Sequence, residues 1–105
     1  MKCLLLLSAL ALGLPSGSAW ANADDDEFYK TKNCFACHRI DRNTLGPSFK
    51  SIAAKYTGDA TAEARLAKKI REGGVGAWGQ VPMPAQPQVS EEEAVRLARW
   101  IMTLK

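Results

Sequence analysis

Histidine is nearly absent from this sequence: among 105 residues, His38 is the only one. Any site that needs two imidazoles is thereby excluded. Cysteine is scarce as well, with Cys3, Cys34 and Cys37. A structural zinc centre takes four Cys or His ligands, and Cys34, Cys37 and His38 fall short once Cys3 is set aside with the leader described below. Long apolar runs are missing. The longest, Cys3 to Leu14, is interrupted only by Ser8 and Gly13, and a membrane-spanning helix needs about 20 such residues. The charge balance is mild as well. The 14 Lys and Arg oppose 11 Asp and Glu, for a formal +3, and the basic residues are scattered. Nucleic-acid binding wants a concentrated basic stripe. We find no alternating strand pattern, no internal repeat and no low-complexity segment.

The front of the chain reads as an export signal. Met1-Lys2 is a short positive start, the apolar run follows, Pro15-Ser16-Gly17 breaks it, and Ala21-Asn22-Ala23 offers an Ala-x-Ala cleavage site. Cleavage after Ala23 leaves residues 24–105 as one domain, with cleavage after Ala21 as the alternative. Cys3 opens the run instead of closing it, which argues against a lipoprotein anchor. The expected product is exported to the periplasm without membrane insertion. So short a chain builds a marginal core and commonly depends on a staple.

That staple is written in residues 34–38, Cys-Phe-Ala-Cys-His. Two cysteines separated by two residues, with histidine directly after, are the attachment signature of a c-type haem. Each thiol adds to one vinyl group, so the sulfurs must sit about a helical turn apart. The following imidazole must then reach the iron. A thioredoxin-like redox pair also uses Cys-x-x-Cys, but it belongs beside a βαβ pattern. A buried cysteine pair with a core histidine is the structural alternative. With haem as the staple, the haem-free chain is expected to fold poorly.

The remainder predicts four short helices. Asp24–Asn33 begins with Asp24, Asp25, Asp26 and Glu27, where the helix dipole favours negative charge. Ser48–Tyr56 follows Gly46-Pro47. Ala60–Glu72 carries Leu66, Ala67 and Ile70 on one face, and Gly73-Gly74 ends it. Ser90–Leu104 opens on a capping box of Ser90 and Glu93, with Ala94, Leu97, Ala98, Ile101 and Leu104 as its buried stripe. Tyr29 and Trp100 are expected to pack where the chain ends cross.

Residues 73–89 differ in kind. Gly73, Gly74, Gly76 and Gly79 are followed by Pro82, Pro84 and Pro87. Such a stretch is expected as a long loop without helix, and long loops in small domains are usually functional. Prolines on both sides of Met83 restrict its backbone. With the porphyrin filling four iron positions and His38 the fifth, the sixth is open to three readings. These are a methionine sulfur, a less common ligand such as lysine, or no ligand at all. Met83 on its loop is the leading methionine, and Met102 reads as core filler. Met/His ligation raises the potential in cytochromes c.

The stretches 34–38, Leu45-Gly46-Pro47, Ile52 to Tyr56, Trp78 to Pro84 and Leu97 to Ile101 resemble the short bacterial monohaem class I cytochromes c. These are periplasmic electron carriers of respiratory and denitrifying chains. The resemblance covers Asp24–Lys105. It implies an all-α cytochrome c fold wrapped around one covalent haem, with no enzymatic activity. It also implies His38 and Met83 as axial iron ligands, and a Pro47 carbonyl accepting from the His38 Nδ1–H. Trp78 would donate to a haem propionate, with Lys69 at the corresponding basic position. One departure stands out. Many relatives have Pro-Pro-Asn after the ligand methionine, and here the run is Pro84-Ala85-Gln86, placing Gln86 where asparagine steadies the sulfur.

The implied partners are redox proteins: a membrane cytochrome complex as donor, and a terminal oxidase, nitrite reductase or peroxidase as acceptor. The carrier itself is expected as a monomer. Scattered cations can steer such a carrier toward acidic partners. Two rivals from other classes remain. A ligand-sensing haem protein would leave the sixth site empty, but often carries the attachment motif near the C-terminus of a four-helix bundle. A haem peroxidase would need a distal acid/base, and no second histidine serves.

Overall fold

The computed structural model describes Gly13 and residues 23–105. The expected leader before Ala23, with Cys3, therefore lies outside the described residues, Gly13 apart. Among the described residues four α-helices form: α1 (Ala23–Lys30), α2 (Phe49–Lys55), α3 (Ala62–Glu72) and α4 (Glu91–Met102). A 3-10 turn, Cys34–Ala36, follows α1. None of the described helices is long and apolar enough to cross a membrane.

The helix ends follow local chemistry. In α2 the Ser48 hydroxyl accepts from Ser51 N at 3.0 Å, satisfying an N–H that the first turn leaves without a partner. In α4 the Ser90 hydroxyl accepts from Glu93 N, and the Glu93 carboxylate accepts from Ser90 N. Both halves of the capping box are thus made. The first helix is shorter than its sequence predicts. It ends at Lys30, and Asn33 takes a left-handed conformation at φ 65°, which asparagine tolerates better than most residues. The last helix also stops early, at Met102. Leu104 lies just beyond it, partly buried against the core instead of continuing the helical stripe.

The largest departure is in residues 73–89. In place of a loop without regular structure, β1 (Gly74–Gly76) and β2 (Gly79–Met83) form an antiparallel hairpin, pairing Gly74 with Met83 and Gly76 with Gly79. Glycine at φ 99° and 104° on either side of the turn makes the reversal possible. Both strands are exposed, so no buried face existed to print an alternating pattern on the sequence.

The helices converge on one core. α3 packs most extensively on α4, and α1 and α2 also rest on α4. Leu66 and Ile70 from α3 meet Ala94, Leu97, Ala98 and Ile101 from α4. At the crossing of the two ends, the Tyr29 and Trp100 rings stack with centroids 3.9 Å apart, and Phe49 packs edge-on to both. Such aromatic pairs add about 0.5–1.5 kcal/mol beyond the area they bury. Glu63 pairs with Arg99 across α3 and α4, and Lys32 with Glu93. These elements leave a hollow between the helices, residues 39–48 and the hairpin.

Candidate haem site

The attachment segment is a single tight turn. His38 N donates to Cys34 O at 3.0 Å and Cys37 N to the same oxygen at 3.2 Å, so both thiols and the imidazole issue from adjacent positions of one turn. No disulfide joins Cys34 and Cys37. Burial pushes the Cys34 thiol up from its ordinary value, with a backbone hydrogen bond pulling the other way.

The segment after it doubles back to hold the histidine. Gly46 N and the Thr44 hydroxyl both donate to Cys37 O, at 2.8 and 2.7 Å. Asn43 Oδ1 accepts from Ser48 N at 2.8 Å. His38 Nδ1 lies 2.7 Å from Pro47 O. A carbonyl can only accept, so Nδ1 carries the proton and Nε2 is left with a bare lone pair. One face of the ring stacks on Phe49 at 5.2 Å. The Gly46 Cα closes another side, since a Cβ there would lie 2.6 Å from the ring Cε1.

This ring lines a cavity of about 660 Å³, within the size range of cofactor sites. Cys34, Cys37, His38, Pro47, Lys69, Trp78 and Met83 all line it. The seven residues singled out from the sequence thus meet at one place. Its walls include Phe49, Leu66, Ile70 and Leu97, all buried and apolar.

Met83, half-buried, closes β2 and packs against the core. Behind it, Gln86 N donates to Ile70 O and Arg71 O at 3.2 Å each. The Gln86 amide Nε2 donates to Pro84 O at 3.2 Å and its Oε1 accepts from Gln88 at 2.6 Å. Its side chain therefore braces the backbone just past Met83. Trp78 is partly exposed on the hairpin turn. Lys69 folds its amine over Gly74, where a Cβ would collide with Nζ.

Several residues here carry no local sequence signal. Lys55 is one: its Nζ donates to Ala77 O at 2.7 Å and sits 4.5 Å from the Trp78 ring centroid. That cation–π contact ties α2 to the hairpin turn. Nothing in α2, where Lys50 and Lys55 are the only charged residues, marks a partner 22 residues downstream. Thr44 and Asn43 could have been suspected from their place beside the attachment segment, as loop residues that bond nearby backbone. Gly73 is another, since a Cβ there would run into the Met83 carbonyl ten positions away.

Comparison with known proteins gives the family. The family model for cytochrome c matches residues 26–105. Cytochrome c-551 of Pseudomonas aeruginosa is 47% identical over 106 aligned positions, covering all of both chains. Cytochrome c-551 of Azotobacter vinelandii is 55% identical over 80 positions, covering 76% of this chain and 96% of that protein. The crystal structure of Nitrosomonas europaea cytochrome c552 superimposes with a TM-score of 0.74 at 46% identity, over 76% of this chain and 99% of that one. The chain belongs to the cytochrome c family. It is a bacterial monohaem class I cytochrome c, close to cytochromes c-551 and c-552. Members are electron carriers and not enzymes, and the cofactor is covalent haem c with its iron.

The residues present fit that cofactor. Two free thiols one turn apart, an imidazole whose Nδ1 is spent and whose Nε2 is bare, and an apolar cavity lined by all three form a donor set for a tethered haem. Glycine at 46 leaves the imidazole the space that any Cβ there would take.

Proposed function

We propose that this cytochrome c is an exported, periplasmic one-electron carrier whose iron is held by His38 and Met83. In this reading residues 1–23 are the signal peptide and 24–105 the carrier domain. Bound haem supplies an iron that takes up and returns one electron. Everything else falls to the chain. Cys34 and Cys37 fix the group in place by thioether bonds. The Pro47 carbonyl holds the His38 proton on Nδ1 and so keeps Nε2 available at a fixed orientation. Met83 supplies a thioether sulfur, which raises the potential relative to harder ligands. Trp78 and Lys69 donate to the propionates at the cavity edge. The apolar walls from α3 and α4 keep water out, which limits rearrangement between oxidation states.

One observation carries the reading: the attachment thiols, His38 and Met83 line a single apolar cavity, though Met83 stands 45 positions after His38 in the chain. The partners are redox proteins, with a membrane cytochrome complex as donor and a terminal oxidase, nitrite reductase or peroxidase as acceptor. Lys68 and Lys69 on the cavity lining, with Lys55 over Trp78 beside them, favour an acidic docking surface and a rate that falls with salt. The carrier works as a monomer.

The test is an intact mass and an optical spectrum of the protein exported from a host with haem-attachment machinery. The expected mass is that of residues 24–105 plus one haem. The ferric protein is expected to show the weak far-red band of sulfur-ligated iron, and the ferrous protein to resist carbon monoxide. A mass without haem defeats the carrier reading. A missing far-red band with rapid carbon monoxide binding defeats Met83 and favours a sensor with an open sixth position.

A further inference from the structure

Gly73 stands where the end of α3 meets the segment carrying Met83. Its backbone, at φ 71° and ψ −163°, lies in a region nearly reserved for glycine. Its missing side chain matters separately. A Cβ on Gly73 would run into the Met83 carbonyl oxygen and would stand 2.7 Å from Ala85 N and 2.9 Å from Pro84 C. All three are backbone atoms, which cannot swing aside as a side-chain tip does. The same segment is tied to α3 by Gln86 N, which donates to Ile70 O and Arg71 O, carbonyls near a helix end that lack partners within the helix. The backbone following Met83 thus rests on the last turn of α3 with no side chain between them.

We propose that Gly73 is a positioning residue for Met83: its bare Cα is the seat that sets how far the Met83 backbone reaches into the cavity, and so whether the sulfur meets the iron. This rests on the reading of Met83 as an iron ligand. Other glycines supply the contrast. A Cβ on Gly74 (φ 150°) would meet Lys69 Nζ, the movable end of a long side chain, and one on Gly58 (φ 79°) would meet nothing within 4 Å. Alanine at Gly58 incurs backbone strain without pressing on the ligand segment, whereas Gly74 is the cross-strand partner of Met83 itself.

The experiment compares haem-loaded wild type with Gly73→Ala and Gly58→Ala. The readouts are the far-red ferric band, carbon monoxide binding to the ferrous form, and the reduction potential. Gly73→Ala is expected to lose most of the band, to bind carbon monoxide, and to fall in potential, since methionine ligation raises it. Gly58→Ala is expected to keep the band even where it melts at lower temperature. A full band in Gly73→Ala, or an equal loss in Gly58→Ala, overturns the proposal. Should Gly73→Ala not accumulate folded, Gln86→Pro and Gln86→Ala decide. Alanine removes only the side-chain brace, while proline also removes the N–H that ties the segment to α3, so proline should weaken the band more, and equal bands overturn the proposal. A wild type without the band defeats the ligand assignment first, and this proposal with it; a wild type with it leaves the variants to judge Gly73 alone.

Discussion

The α1–α3–α4 frame and the hairpin segment 73–89 hold their shapes by different means. The frame is held by buried area: Tyr29 against Trp100, and Leu66, Ile70, Leu97 and Ile101 between α3 and α4. The hairpin buries none of its strand residues fully. It is fixed at a few points, by Gln86 N on α3, by Lys55 on Ala77 O, and by Gly73, where only a bare Cα fits. Each region contributes to the cavity, with His38 seated beside the frame and Met83 on the hairpin. A large apolar interface resists single changes in proportion to the area lost. A segment held by single contacts can fail at one of them while the rest of the molecule stands.

Four changes would break or sharpen that contrast. The largest effect is expected from Cys34→Ala/Cys37→Ala. Without a tethered haem the cavity has nothing to close on, and neither region should hold. Circular dichroism should show reduced helix and no cooperative melt. Native-like melting of that variant would show that the frame stands alone.

Trp100→Ala tests the frame. Removing a buried aromatic of this size costs about 3–5 kcal/mol, read as a lowered denaturant midpoint in the haem-loaded protein. The far-red band should persist in the folded baseline, because the hairpin seat is untouched. Loss of the band before global unfolding would mean the two regions are less separable than their contacts imply.

Lys55→Met tests the hairpin, with the opposite pattern. One hydrogen bond and one cation–π contact at an exposed site are together worth about 1 kcal/mol. The global midpoint should move little, while amide exchange at residues 76–79 accelerates. Unchanged exchange there would remove Lys55 from the account.

The smallest effect concerns pH. A hydrogen bond from Lys32, then one from Ser90 N, holds the Glu93 carboxyl below its ordinary value in the folded state. Between the lowered value and the ordinary one, the unfolded chain binds more protons than the folded one. Stability from this group is therefore present above the ordinary carboxylate range and is lost as pH falls through the lowered value. Glu93→Gln keeps a capping-box side chain but removes the titration, so its acid-side stability profile should be flatter than that of wild type. Profiles that run parallel would rule the group out.

Much of this was legible in residue order alone. The attachment turn is local chemistry, since two thiols and an imidazole must come from one turn and only a short spacing permits it. The capping box at Ser90 and the buried stripe of α4 are likewise matters of helical period and nearest neighbours. The hairpin was not legible, because its strands are glycine-rich and exposed, and a strand without a buried face leaves no alternation to read. The true end of α1 was hidden too, since nothing between Lys30 and Asn33 forbids another helical turn.

Sequence by itself determined what this protein binds and where its helices lie, because covalent attachment and helix formation act between residues a few positions apart. Tertiary structure alone decided that Lys55 reaches Ala77, that Gln86 N caps α3, and that Gly73 lies against the Met83 backbone. Those contacts join positions whose separation along the chain carries no period. They exist only once packing has brought one backbone against another.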